Sequence, residues 1–534
     1  MYVSVLLLFI VIILLIIFKN KQRWKQKNFP PGPFSWPFIG NQSLLKRLVR
    51  KHGSQHVAFW KLAQRYKSDV IMLRLGMRNI IVVSGMTTVH KLLCSDDFDG
   101  RPWNEFIKLR NMGMRKGITM NDGTEWKDVR SWVVRALKTV GYGKREMSKL
   151  IQDELVVILE ILKKGGINKM KETIAPAVIN VLWTFTTGKR ISDVSKLQYF
   201  NDLMERRARA FDMVGGILST FPWIRYIAPE TSGYNLLVKI NDELKNFLTE
   251  IIYDHKKNYV PGNESNLIDM FFREMYDQKG SKNIFTEEQL LMILLDLFIA
   301  GSNTTTTTLD FLLLHVVVHQ DIQKKVREEI TTKIKLDEFP KLEDRIKLPY
   351  VEAFITEVQR MYTITPIIGP RRAFKDTIFE GYSIPKNTVI LINLYSVNMD
   401  PDIYPNPHEF KPERFFKDNA YKPDKNLVLF GKGKTTTNSF LFLTILQIYS
   451  RLFRSTLFER IIISLNRFKF LTCFSLGNRR CPGEHLAKSA LFLLFVGIMQ
   501  KYALLPVPGQ RPYVIEAIPG LTIAPKPYEA MVVP

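Results

Sequence analysis

The longest apolar helical pattern in the chain runs from Leu290 to Val318, and a helix that is apolar on every side belongs in a core. Its middle carries Ala300-Gly301-Ser302-Asn303-Thr304-Thr305, followed by three more threonines. Gly and β-branched Thr weaken a helix interior, and a Thr hydroxyl that bonds back to the i−4 carbonyl bends it. Leu297-Phe298-Ile299 before this turn, and Leu309 and Phe311 after it, argue against exposure. A buried helix that accepts such a cost needs a distortion and a hydroxyl at that place. A polar solvent-facing turn is the duller alternative.

Helical periodicity dominates from Met86 to Tyr362, with Ser131 to Leu137, Leu150 to Lys164, Ile240 to Lys256 and Glu287 to Val318 as the clearest runs. Val70 to Val83 reads instead as a hairpin around Gly76, and a strand-like run returns near Thr388 to Asn393. The fold class is therefore mainly α with a small β portion, without internal repeats. Three cysteines in 534 residues exclude a disulfide scaffold and the paired spacing of a structural zinc site. A net charge of +25 calls for an acidic partner, a membrane surface or nucleic acid. With no zinc-finger spacing, RNA-binding signature or arginine-rich tail, nucleic acid ranks last.

Val3 to Phe18 is almost unbroken Val, Leu, Ile and Phe, and Lys19, Lys21, Arg23, Lys25 and Lys27 follow at once. Residues 2–18 read as a single transmembrane signal anchor, with the following chain held on the cytosolic side by its positive charge. Residues 19–41 form a basic, proline-rich linker whose Pro30-Pro31-Gly32-Pro33 is a stiff extended spacer with an orienting role. The body spans 42–534. A cytosolic body leaves the sequons at Asn41 and Asn263 unused.

Late in the chain, Phe474-Ser475-Leu476-Gly477-Asn478-Arg479-Arg480-Cys481-Pro482-Gly483 puts one cysteine in a glycine-bounded loop ahead of a helical start at Glu484. Glycines let backbone N–H groups close on the sulfur, and a helix N-terminus favours the thiolate that binds metal. One thiolate acting alone points to haem iron; an ordinary buried cysteine in a tight turn is the competing reading. Trp126 and Arg130, four apart, share a helix face and suit a carboxylate, though a core Trp beside a surface Arg reads as well. Glu357 and Arg360 pair at i,i+3, and Arg414 in Pro412-Glu413-Arg414-Phe415 would complete a buried Glu–Arg–Arg cluster.

These pieces, in this order, resemble the cytochrome P450 family, the haem-thiolate monooxygenases, from the anchor to Pro534. The style of the hinge and of Gly381 to Val389 is similar to microsomal animal members, an insect source among them. The resemblance implies the cytochrome P450 fold, haem b bound through Cys481 and propionates held by Trp126, Arg130, Arg371 and Arg479. It places Phe474 or Phe430, with Gly477 and Gly483, in the loop around the sulfur. Thr304 matches the threonine that holds a water network for protons, with Asn303 beside it, and Glu357, Arg360 and Arg414 match the structural charge cluster. It further implies electrons from NADPH through NADPH–cytochrome P450 reductase, cytochrome b5 as an additional partner, membrane lipid, an apolar substrate and the endoplasmic reticulum membrane.

Two departures stand out. Asn303 occupies a position where the family usually has Asp or Glu, and an amide holds a water without relaying a proton. Residues 434–477 interrupt the motif: removing them joins Phe430-Gly431-Lys432-Gly433 to Asn478-Arg479-Arg480-Cys481, a fuller haem loop than the local one. The block reads as a translated intron or gene-model error, Gly433-Lys434 and Leu476-Gly477 being compatible with splice signals. A genuine surface insertion is the rival. Translated as written, the block would leave Phe474 as the local anchor of the loop. Apolar stretches expected to line a pocket are Phe106 to Ile118, Phe211 to Phe221, Phe298 to Asn303 and Ile364 to Ile368.

Overall fold

The computed structural model describes residues 28–210, 216–277, 284–424, 426–430, 479–509, 513–520 and 522–534. The anchor at 2–18, the basic part of the linker to residue 27 and the block 434–477, with Phe474 and Gly477, lie outside the described residues. What is described is mainly helical with small sheets, as the periodicity predicts.

The hairpin pairs Val70–Leu75 with Arg78–Val83 antiparallel, Val70 opposite Val83 and Leu75 opposite Arg78. Gly76 takes φ 58° in the two-residue turn, a left-handed value that a side chain resists. Val389–Asn393 adds in parallel to the second strand, and Ile367–Arg372 pairs antiparallel beyond it. Val70, Met72, Ile81 and Val83 pack into one apolar cluster, while Ile71, Leu73, Ile80 and Val82 pack into another. Both faces are thus covered, which is why these strands are apolar almost throughout and do not alternate cleanly. The register shifts between Ile368 and Arg371. A bulge of this kind re-aims the side chains beyond it, here Arg371.

The proline-rich segment is docked, not free. Met72 N–H donates to the Pro31 carbonyl at 2.9 Å, and a Cβ on Gly32 would sit 1.9 Å from the Met72 carbonyl oxygen. Asn41 is buried, its amide donating to Phe34 O and its oxygen accepting from Arg74 N–H. A sequon asparagine held this way is closed to glycosylation in the folded state.

Glu287–Val318 is one helix over its whole expected length. Thr286 caps it by accepting from Gln289 N–H, and Glu287 and Glu288 oppose the positive end of its dipole. Among the described residues it is the one helix long and apolar enough to cross a membrane, and most of it is buried in the body as a core helix. Met170–Thr187 packs along it closely because Gly301 has no side chain: a Cβ there would meet Leu182 at 2.7 Å. Glu484–Lys501 packs on another side and begins three residues after Cys481, so the two helices hold the Cys481 loop and the threonine turn in one body.

Candidate functional site

Cys481 is exposed at the head of the helix Glu484–Lys501, in a loop fixed from three directions. Its N–H donates to the Phe430 carbonyl at 3.0 Å, the Tyr142 hydroxyl donates to Pro482 O at 2.7 Å, and Arg130 donates to Arg480 O. Among the described residues, Cys481 is therefore tied to Phe430, through its main-chain carbonyl, and Lys488 lies over the Phe430 ring. A Cβ on Gly483 would touch the sulfur at 3.6 Å. Although a face of Cys481 is exposed, the surrounding protein desolvates the thiol and pushes it above its ordinary value; Gly483 N–H, Arg130 and Arg480 pull it down, and Glu484 adds to the rise. Desolvation thus opposes the thiolate bias that the helix end and glycine loop supply. Coordination to a metal would deprotonate the thiol.

Four arginines gather nearby. Arg479 donates to Asp99 O and Asn121 O and lies 3.4 Å from the centre of the Trp126 ring. Arg371 is paired with Asp99 at 2.5 Å. Arg130 flanks the same indole. The fourth is Arg101, which the sequence reading missed: it donates to Gly369 O and Pro370 O. Arg371 Nε, Arg479 Nη1 and Arg101 Nε are buried with no hydrogen-bond partner in the structure. Desolvation and mutual repulsion hold Arg479 down to about 9 and Arg101 well below its usual range, with Asp99 opposing. Such a cluster asks for further negative charge.

The Trp126 indole N–H donates to Ile118 O at 2.9 Å, and Arg479 and Arg130 lie against its ring.

On the long helix, Ala300 is exposed and Thr304 half-buried although Phe298, Ser302 and Thr305 beside them are buried. Thr304 donates back to Ala300 O at 2.8 Å, Ser302 to Phe298 O and Thr308 to Thr304 O. These back-bonds are the ones the threonine run predicts, and they hold the Thr304 hydroxyl against the helix backbone.

Glu357 and Arg360 are wholly buried and doubly bonded, at 2.7 and 2.9 Å. Arg414 reaches the same carboxylate at 3.2 Å and Lys411 N–H at 3.0 Å. Arg360 also donates to Asn398 O and Pro407 O, and Arg414 to Pro405, Asn406 and Glu409 carbonyls. The cluster thereby ties the helix Pro349–Tyr362 to the irregular chain from 398 to 414.

A clamped cysteine beside a cluster of arginines with unpaired nitrogens is the arrangement that a haem-thiolate protein needs. The sequence profile of the cytochrome P450 family matches residues 30–436 and 454–532. "Probable cytochrome P450 305a1" of Drosophila melanogaster is 36% identical over 95% of this chain and 95% of its own length. "Farnesoate epoxidase" of Bombyx mori is 32% identical, covering 95% and 94%, and "Cytochrome P450 2U1" of Mus musculus is 30% identical, covering 96% and 92%. The chain belongs to the cytochrome P450 family and is a monooxygenase of that class. The family's cofactor is haem with a cysteine thiolate on iron, and the residues present fit it. The unpartnered nitrogens of Arg101, Arg371 and Arg479 suit two propionate carboxylates, and the Cys481 sulfur is reachable.

Proposed function

We propose that the protein inserts one atom of O2 into an apolar small molecule, with electrons from NADPH delivered by NADPH–cytochrome P450 reductase and cytochrome b5 as a second donor. The observation that carries this is the reachable Cys481 thiol set beside buried, unpartnered arginine nitrogens. Haem bound there supplies the oxygen-activating chemistry. Cys481 would ligate iron, and Arg101, Arg130, Arg371 and Arg479 would hold the propionates, with Trp126 backing two of them. Thr304 would hold water for proton delivery, and Asn303 would position it. Steroids, fatty acids, terpenoids and xenobiotics suit an apolar site, and the silkworm relative named farnesoate epoxidase favours a terpenoid among them.

A membrane attachment through residues 2–18, at the endoplasmic reticulum with the body cytosolic, agrees with one exposed apolar surface. Phe34, Trp36, Phe38 and Ile39 are exposed beside the hairpin turn at Met77. Gly76 N–H bonds to Ile39 O, and Gly76 packs on Thr220 and Phe221, next to exposed Trp223, Tyr226 and Ile227. An apolar surface this continuous suits insertion into lipid headgroups.

A reduced carbon-monoxide difference spectrum tests the reading, with a red-shifted Soret band from the thiolate complex and NADPH-dependent substrate oxidation as the expected results. A thiolate band without NADPH dependence would establish instead a reductase-independent isomerase or dehydratase, which Asn303 favours. Absence of haem would show a product disabled by residues 434–477. For that block, a family profile broken at 437–453 supports a segment external to the family pattern there, the profile running through 454–477, and the described ends meet at Phe430 and Cys481. Sequencing the transcript across codons 425–485 separates a retained intron from a translated insertion.

Asn303→Asp is expected to raise product formation per NADPH and lower peroxide release by about twofold or more. This is far short of the roughly 10²–10⁴ of a full general acid, because Asn303 already lines a cavity with room for water. Unchanged turnover and peroxide release would defeat this view of Asn303.

A further inference from the structure

The acid missing at Asn303 stands two turns further along the same helix. Asn303, Thr307 and Asp310 lie at i, i+4 and i+7, on one helix face, and all three line a single cavity of about 1200 Å³. Seven residues at a rise of 1.5 Å put Asp310 about 10 Å from Asn303 along the axis. The Thr307 hydroxyl stands between them, and about two waters would complete a chain at ordinary hydrogen-bond lengths. Unlike Ser302, Thr304 and Thr308, Thr307 makes no back-bond to the i−4 carbonyl.

Asp310 is 2% exposed, and its Oδ1 is buried without a hydrogen-bond partner. The Tyr528 hydroxyl donates to its main-chain carbonyl at 3.0 Å. The charged and titratable groups lining the same cavity are Lys169, Lys171, Glu172, Glu205, Glu529, Tyr528 and His56, of which Lys171, Glu205 and Tyr528 act on Asp310 directly. Lys171 and Glu205 pair with each other at 2.8 Å, so neither is committed to Asp310. A buried carboxylate with one oxygen unpaired is costly, even with the Tyr528 hydroxyl beside it, and taking up a proton relieves that cost. Burial pushes Asp310 up to about 7; Lys171 and Tyr528 oppose the rise and Glu205 adds to it. The group therefore exchanges its proton near neutrality, where a donor is most effective.

We propose that Asp310 supplies the protons for oxygen activation at the Thr304 turn, through Thr307 and the water that Asn303 holds. Each turnover consumes two protons and two reductase-delivered electrons, one oxygen atom leaving as water and the other entering a C–H bond of the substrate. For each proton, the Asp310 O–H bond breaks towards the water chain, Thr307 accepts one proton and passes on its own, and the Asp310 carboxylate regains a proton from solvent through the cavity. The side chain does not touch the reacting atoms. It stocks the path leading to them.

This inference rests on the monooxygenase reading, and the experiment separates the two. Asp310→Asn and Asp310→Glu are made in the full chain, loaded with haem and assayed with reductase from pH 5.5 to 8.5. Asp310→Asn is expected to lower product per NADPH severalfold, raise peroxide release and remove an inflection near pH 7 that Asp310→Glu retains. Adding Asn303→Asp to Asp310→Asn is expected to restore coupling, since an acid then stands at the turn itself. Infrared spectra of the resting protein read the group without turnover. A protonated-carboxyl band that titrates near pH 7 is expected in the parent and absent in Asp310→Asn. Unchanged coupling and pH profile in Asp310→Asn, failure of Asn303→Asp to rescue it, or no such band at pH 6 would each overturn the proposal while the parent still turns over. A parent without NADPH-dependent turnover would overturn the monooxygenase reading, and this inference with it.

Discussion

Arg360→Leu is expected to destabilise the protein by about 3–5 kcal/mol, the cost of stranding a buried charge by removing its partner. Arg360 is wholly buried, with two bonds to Glu357 and two more to the Asn398 and Pro407 carbonyls. Leucine fills much of the volume but leaves the Glu357 carboxylate facing only Arg414 and Lys411 N–H, and leaves both carbonyls unmet. Whole proteins are stable by only about 5–15 kcal/mol, so roughly a fifth or more of the margin goes. The urea midpoint and the yield of soluble protein read the effect. Glu357→Leu with Arg360→Leu should fall short of the sum of the single changes, because removing both charges leaves neither stranded. A loss below about 1 kcal/mol for Arg360→Leu would reduce the cluster to an ordinary exposed pair, which its burial contradicts.

That cluster shows what a sequence carries and what it omits. Glu357-Val358-Gln359-Arg360 places the two charges on one helix face, but i,i+3 pairs are usually exposed, and nothing local says that this one is not. Its burial comes from the chain around 398–414 folding over it. The long helix was legible from end to end because its signals are local: a capping Thr286, two acidic residues and an unbroken apolar run. Arg101 was invisible for the opposite reason. It sits in an irregular loop between Gly100 and Pro102, and its partners at Gly369 and Pro370 are remote in sequence. Trp126 shows a third limit: spacing put its N–H beside Arg130, yet a carbonyl eight residues earlier takes that N–H. Asp310 was passed over as one polar residue in an apolar run; only the cavity aligns it with Asn303 and Thr307.

Deleting residues 434–477 is expected to raise haem content per polypeptide and to stabilise the protein by about 2 kcal/mol, roughly 30-fold in the folding equilibrium. Cys481 N–H bonds to Phe430 O at 3.0 Å, a contact made across the whole block. Whatever the block does, folding must bring its two ends together, and that closure costs entropy growing as (3/2)RT ln n. The deletion shortens the loop about eightfold, or three doublings at about 0.6 kcal/mol each. It also sets Gly433 against Asn478, restoring an unbroken Phe430-Gly431-Lys432-Gly433-Asn478-Arg479-Arg480-Cys481 run with every described contact of Cys481, Arg479 and Phe430 unchanged. Haem-to-protein ratio and urea midpoint, compared with the full chain from the same host, give the result. A deletion variant that binds less haem or unfolds earlier would mean that residues 434–477 make stabilising contacts of their own. In that case the block is a working part of this protein, and the intron reading is lost with it.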